Sequence, residues 1–168
     1  GVSFSHGLGD ASKQIGHVAA VYTDAVARLG FENVILLMSR RKGEAETPGW
    51  NTTYANAILR DICNPHAEKI TSTSLYVGDR VIIRKNMVLE QRGEDGEPDG
   101  QQTERVVNGD VGTIRGITNP RKSSGVKSLL PQWADIELDD GRLVNLQGHL
   151  LGTLGHAYAL TVHAAQGS

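Results

Sequence analysis

The sequence predicts an α/β fold in which a partial parallel sheet is interrupted by a small β-barrel. Two continuous apolar runs, residues 34–38 and 157–162, are short enough to be strands buried on both faces, which is typical of parallel sheets. Three segments, 77–88, 105–117 and 134–146, are instead strand-like, and apolar and polar side chains alternate over 134–139, as in a strand with one solvated face. Parallel neighbours need a long crossover. We therefore expect the two runs to pair and the region that contains these three segments to be inserted between them.

The first predicted element is a helix that runs to about Leu29. Residues 1–10 are glycine-rich and are predicted to be flexible, and either Asp10 or Ser12 can cap the helix. Gly30 is expected to end it. Its apolar residues recur at helical spacing: Ile15, Val18, Ala19, Tyr22, Val26 and Leu29.

A second helix is predicted over about Thr53–Cys63, after the strand 34–38 and a loop. Asn64-Pro65 is expected to end it, because the residue before a proline avoids helical backbone angles. Helical spacing places Tyr54, Ala57, Ile58 and Ile62 on one side of it.

Three strand-like segments follow, at 77–88, 105–117 and 134–146. Asn108-Gly109 and Asp140-Gly141 are dipeptides that tolerate the positive φ angles of tight hairpin turns. Short strands with such turns predict a small SH3-like barrel. The domain prediction is therefore an α/β domain over 11–75 and 150–168, with an inserted barrel over 76–149.

Composition bounds the function classes. The net charge of −2 and the 39% hydrophobic content describe an ordinary globular chain rather than a uniformly basic DNA-wrapping protein. No apolar run approaches the roughly 20 residues that cross a bilayer, so we expect no membrane partner and a cytoplasmic location. The single Cys63 excludes an internal disulfide. The histidines lack metal-ligand spacing, and no metal site is predicted.

The last apolar run ends in a polar turn, "HAAQGS". A strand that ends in this way presents its side chains at the carboxyl edge of a parallel sheet, where α/β proteins bind ligands. Thr161 and His163 could there donate hydrogen bonds to phosphate oxygens, and Gly167 permits close approach of the backbone. Gln166 and Ser168 would open a following helix, whose N-terminus favours an anion. Alternatively, Thr161 is an ordinary strand residue and His163 a hydrogen-bonded turn residue.

Three segments, in order, resemble superfamily 1 DNA helicases of the RecD-like group. "ALTVHAAQGS" resembles their motif V, and "VGDRVIIRKN" with "VVNGDVGTI" resembles their inserted SH3-like subdomain. "LLMSRRKG" followed by "TYANAILRDICNP" resembles the motif IV region. The resemblance covers the chain from about residue 15 onward. Ala164 stands where RecD-like proteins usually have lysine, and "HAAQG" is closer to UvrD-like helicases and conjugative relaxase-helicases. The subfamily is therefore open.

The resemblance implies the second, RecA-like motor domain of an ATP-dependent helicase that moves on single-stranded DNA. ATP and Mg²⁺ would be bound mainly by an N-terminal RecA-like half, since no glycine-rich phosphate loop can be completed in this chain. These residues alone are expected to hydrolyse no ATP. An arginine after the strand 34–38 would contact the γ-phosphate, either Arg40 or Arg41. The resemblance assigns ATP sensing to Arg40, Arg41 and Gly167, and DNA contact to Thr161, His163, Gln166 and Ser168.

Further DNA contacts are predicted on the barrel and in a basic loop. Arg80, Arg84, Lys85 and Arg115 recur on predicted strands, and exposed basic residues on a small β-module suit phosphate contact. Arg121 and Lys122 lie in 118–131, which carries three basic residues and no acid. For both sets a merely solvated surface is an equal alternative.

Two other functions stay open. The first is a DNA-holding or protein-docking module, such as a secretion signal, of a conjugative relaxase-helicase without motor activity. The second is a free-standing SH3-like interaction domain, which would not need the α/β flanks. The favoured partners are single-stranded DNA, the N-terminal RecA-like half, and recombination or conjugation machinery.

Overall fold

The computed structural model describes residues 11–39, 51–92, 98–118 and 133–162. Two α-helices, nine strands and two short 3-10 helices lie within these residues. In chain order they are α1 (Ala11–Leu29), a 3-10 turn (Phe31–Asn33), β1 (Leu36–Met38), α2 (Thr52–Cys63), β2 (Arg80–Ile83), β3 (Met87–Arg92), β4 (Pro98–Val106), β5 (Val111–Thr118), β6 (Trp133–Leu138), β7 (Leu143–Leu146), a 3-10 segment (Gly148–Thr153), β8 (Leu154–His156) and β9 (Ala159–Thr161). The predicted flexible segment 1–10 lies outside the described residues.

Helix α1 ends where the sequence predicts. Gly30 has a φ of 84°, and its N–H donates to the carbonyl of Val26 at 3.0 Å, which satisfies a terminal carbonyl of the helix. Ala19 and Tyr22 are buried, and the Tyr22 hydroxyl donates to the carbonyl of Val34 at 3.3 Å. Leu29 is 60% exposed, because the last turn extends past the packed cluster.

Helix α2 has the predicted extent. The Asn51 side chain caps it by accepting a hydrogen bond from the N–H of Tyr54 at 3.0 Å. The buried residues are Thr52, Ala55, Asn56 and Leu59, whereas the residues that helical spacing places together on one side are exposed or only partly buried. Tyr54 is 48% exposed and Ile62 45%. Asn56, and not this apolar side, faces β9.

The two apolar runs pair as predicted, in parallel. Leu36, Leu37 and Met38 lie opposite Ala159, Leu160 and Thr161 respectively. The prediction of burial on both faces is wrong for β1, where Leu37 is 54% exposed. Within the described residues the parallel sheet has only these two strands, and nothing there covers Leu37. The other side of the sheet packs against α1 and α2 around Tyr22, Leu59 and Tyr158. Cys63 packs against the same cluster, and burial raises the pKa of its thiol.

The remaining strands form an antiparallel β module. Its main sheet has the order β7-β6-β5-β2-β8, and β3 and β4 form a separate hairpin. The two predicted turns are confirmed, with φ of 110° at Gly109 and 88° at Gly141. On β6 the predicted alternation is also confirmed, since Ala134, Ile136 and Leu138 are buried.

The two sheets of the module share one apolar core, which also receives Ile70 and Leu75 from the segment before β2. Asn145 joins the hairpin to β7: its side-chain oxygen accepts from the N–H of Arg92 at 3.2 Å, and its own N–H donates to the Gln91 side chain at 2.9 Å. A closed barrel is not formed by the described strands, because the main sheet ends at β7 and β8 without pairing them. The general α/β class is therefore observed, with an open antiparallel module in place of the predicted closed one.

Candidate nucleic-acid interface

The carboxyl ends of β1 and β9 lie side by side. Parallel strands with Met38 opposite Thr161 leave the sheet at the same edge, as the sequence predicts. Thr161 is half-buried, and the next residue, Val162, is 45% exposed. The other residues predicted for this edge lie outside the described part of the chain: Arg40, Arg41, His163, Gln166, Gly167 and Ser168. The edge itself is thus built by the two strands that lead into them.

Strand β9 is held in place by a side chain that the sequence analysis missed. The Asn56 amide donates to the carbonyl of Ala159 at 2.8 Å and accepts from the N–H of Ala159 at 2.9 Å. The N–H of Leu36 donates to Tyr158, so the backbone groups of Ala159 point away from β1. Asn56 therefore takes the place of a neighbouring strand at this position. An asparagine inside a helix, where it is intrinsically unfavourable, was the available signal.

Asp79 is a second residue that the sequence does not single out, and it holds the segment that leads into β9. Its carboxylate accepts hydrogen bonds from the Tyr158 hydroxyl at 2.9 Å, the Asn64 amide at 2.9 Å and the N–H of Tyr76 at 2.9 Å. The Nε2 atom of His156 lies 3.2 Å from the Oδ2 atom of the same carboxylate. Asp79 is 0% exposed, so these groups replace its hydration.

The protonation states of this cluster follow from its burial and hydrogen bonds. Burial by itself raises the pKa of Asp79, but hydrogen bonds from His156, Asn64, Tyr158 and the Tyr76 N–H outweigh it and lower the pKa below its ordinary value. Burial, and then the neighbouring Asp79 charge, raise the pKa of Tyr158. Tyr158 therefore remains a hydroxyl donor and Asp79 a charged acceptor at neutral pH.

We expect Asp79 to contribute to the acid sensitivity of the fold. Because its folded-state pKa is lowered, its stabilising contribution is fully present above the ordinary value of 3.8 and is lost as the pH falls through the folded-state pKa. Urea unfolding at a series of pH values should show a flatter acid limb for Asp79→Asn than for the wild type. Parallel curves for the two proteins would show that the carboxylate has the same pKa folded and unfolded.

The predicted basic residues do not form one group. Arg84 and Lys85 follow β2 and are exposed; the N–H of Arg84 donates to the carbonyl of Thr153 at 3.0 Å, and its guanidinium lies against Gly155. Arg115 lies at the opposite end of the β2–β5 ladder, where it pairs with Glu137 at 2.6 Å. A carboxylate partner reduces the attraction of Arg115 for phosphate. Arg121 and Lys122 lie outside the described residues.

Arg80 corrects the prediction of an exposed basic face. Its side chain is 0% exposed, and its two terminal nitrogens donate to the two carboxylate oxygens of Asp139 at 2.6 Å each. One of these nitrogens also donates to the Thr113 hydroxyl at 3.2 Å. Strand β2 is central in the module, and all four of its residues are buried, so Arg80 is a structural residue rather than a phosphate contact.

Neither described helix combines the length and apolar character that crossing a membrane requires. In the same part of the chain, His, Cys, Asp and Glu side chains do not gather into groups of three or more that could hold a metal ion.

The class that fold and site define is an α/β protein with a largely antiparallel β module between two parallel strands that end at one edge. No protein-family model matches the chain, and no curated protein matches it significantly.

Proposed function

We propose that this chain is the second motor domain of a RecD-like superfamily 1 DNA helicase, a RecA-like lobe with an SH3-like insertion. The observation that carries the proposal is the parallel pairing of β1 with β9. This pairing joins the strand that leads into Arg40 and Arg41 to the strand that leads into His163. A motor lobe needs both segments at one edge, because nucleotide state and DNA contact must be coupled there.

The SH3-like assignment of the insertion is part of the same proposal. It is supported by two sheets that share one core and by their connection through Asn145. The described strands form an open arrangement, so we propose a partly open barrel.

Within this proposal each group of residues has a separate task. Thr161, His163, Gln166 and Ser168 donate hydrogen bonds to the phosphates of a single strand, and Arg84 and Lys85 add charge on the module. Arg40 or Arg41, with the backbone at Gly167, would contact ATP held with Mg²⁺ mainly by the N-terminal RecA-like half. ATP hydrolysis would supply the free energy for translocation.

The proposal predicts single-strand binding that depends strongly on salt. Labelled single-stranded and duplex DNA are titrated at two salt concentrations, and affinity should be confined to single strands and fall steeply with salt. Lys85→Ala should weaken binding irrespective of sequence and lower the salt slope by about 1. Lys69→Ala, which removes another exposed lysine, should leave the slope unchanged. Absent or salt-insensitive binding would contradict the motor-domain proposal.

One observation favours a second candidate, the protein-docking module of a conjugative relaxase-helicase. The outward side of α2 carries Tyr54 and Ile62, 48% and 45% exposed, with Ile58 partly exposed between them. Residues spaced by four form a continuous stripe on a helix. This apolar stripe suits a protein partner better than a phosphate backbone, and it is the function left if the DNA titration is negative.

A further inference from the structure

The β module is connected to the α/β unit without a flexible tether at its carboxyl end. Only Ala157 and Tyr158 separate β8, which belongs to the module, from β9, which pairs with β1. Both residues are 0% exposed. The N–H of Ala157 donates to the carbonyl of Arg80 at 2.8 Å, so the connection itself continues the β2–β8 ladder. An inserted domain on a mobile linker would instead be joined by exposed polar residues.

Asp79 lies at this crossing and belongs to both units. Its backbone is part of the module, because its carbonyl accepts from the N–H of Ile114 at 3.0 Å. Its carboxylate binds Asn64 at the end of α2 and Tyr158 at the start of β9. Gly78, with a φ of 88°, lets the Asn64 amide approach: a Cβ there would lie 3.2 Å from it. One buried side chain thus links the helix, the terminal strand and the module.

An apolar contact runs beside this polar link. Ile82 and Val111 of the module form a cluster with Ala157 and Leu160, against which Ile35 of the α/β unit packs. Well-packed apolar contacts resist sliding, whereas the Asp79 hydrogen bonds require one orientation of the two units. The two observations therefore restrict both translation and rotation.

We propose that Asp79 is a positioning residue that fixes the β module and the α/β unit in one orientation, so that module and Thr161 move as a single body. The proposal stands on these hydrogen bonds and apolar contacts, and it does not depend on the proposed function. If the proposed DNA contacts also hold, it means that Lys85 and Thr161 keep a constant separation and contact the strand as one rigid surface.

The test is a distance measurement between the units by pulsed electron paramagnetic resonance. Spin labels are placed at Ala27→Cys in α1 and Leu143→Cys in β7, both exposed, on a Cys63→Ser background. The labelled protein that retains Asp79 should give one narrow distribution of distances between the two labels. Asp79→Ala should broaden or shift it, and Tyr158→Phe, which removes a single donor and keeps the ring, should do so to a smaller extent.

The matched control is Asp110→Ala. Asp110 also accepts hydrogen bonds, from the N–H of Val107 at 2.9 Å and from Arg142 at 3.3 Å, but both partners lie within the module. Asp110→Ala therefore perturbs only the module, and we expect it to leave the distance between the two units unchanged. A distribution that keeps both its width and its position in a folded Asp79→Ala protein overturns the proposal; if that variant does not fold, an unchanged distribution in Tyr158→Phe does so. DNA binding is not part of the readout, so this result is separate from the proposed function.

Discussion

Replacing Asp139 with alanine is expected to destabilise the protein by about 3–5 kcal/mol, although Asp139 itself is 36% exposed. This loss of stability arises at Arg80, the partner of Asp139. Arg80 is 0% exposed, and its two strongest hydrogen bonds end on the Asp139 carboxylate. The substitution leaves a buried guanidinium with only the Thr113 hydroxyl and, at 5.9 Å, the face of Phe31. Urea unfolding measures the loss.

The reciprocal substitution should be much milder. Arg80→Met removes the buried charge and fills its volume with an apolar side chain, while the partly exposed Asp139 can be hydrated. Replacement of a buried ion pair by apolar residues is often neutral, so we expect a change of about 1 kcal/mol or less. The exposed pair Arg115–Glu137 supplies the control, since Glu137→Ala should cost only about 0–1 kcal/mol. Equal losses in the free energy of unfolding for Asp139→Ala and Arg80→Met would show that the attraction between the two charges determines the cost, and not the desolvation of an unpaired Arg80.

The features that sequence alone predicted are those with short-range signals. Gly30 and Gly141 adopt positive φ angles that their local turns require, and the alternation on β6 reports which face of one strand is solvated. The pairing of β1 with β9 was also predictable, because two isolated apolar runs in one α/β chain have few other partners. These signals depend on neighbouring residues or on composition.

The sequence predictions fail where a contact with a residue far along the chain determines the structure. Asn56 binds Ala159 across 103 residues and Arg80 binds Asp139 across 59, and helical or strand periodicity contains neither contact. Periodicity alone groups Tyr54 and Ile62 on one side of a helix without showing that this side faces outward, and it treats Arg80 as exposed. For the proposed site, the sequence could identify Thr161 at a strand end, but not the side chains that hold that strand.

Asn56→Ala is therefore expected to be among the costliest single changes in the α/β unit. Ala159 is 1% exposed, so the substitution leaves a buried N–H and a buried C=O without their partner. Each buried unsatisfied group costs about 1–3 kcal/mol, which gives a loss of roughly 2–6 kcal/mol in the free energy of unfolding. Urea unfolding followed by circular dichroism measures it.

A matched control lies on the same helix. Asn51→Ala removes a half-buried cap whose side chain accepts a hydrogen bond from the N–H of Tyr54, and it should cost only about 1 kcal/mol. Asn56→Asp separates the two roles of the amide: it retains an acceptor for the Ala159 N–H but presents a charged oxygen to the Ala159 carbonyl. We expect it to be at least as harmful as alanine. If Asn56→Ala and Asn51→Ala cost the same, Asn56 contributes only as a helical residue, and β9 is held by β1 and Tyr158 instead.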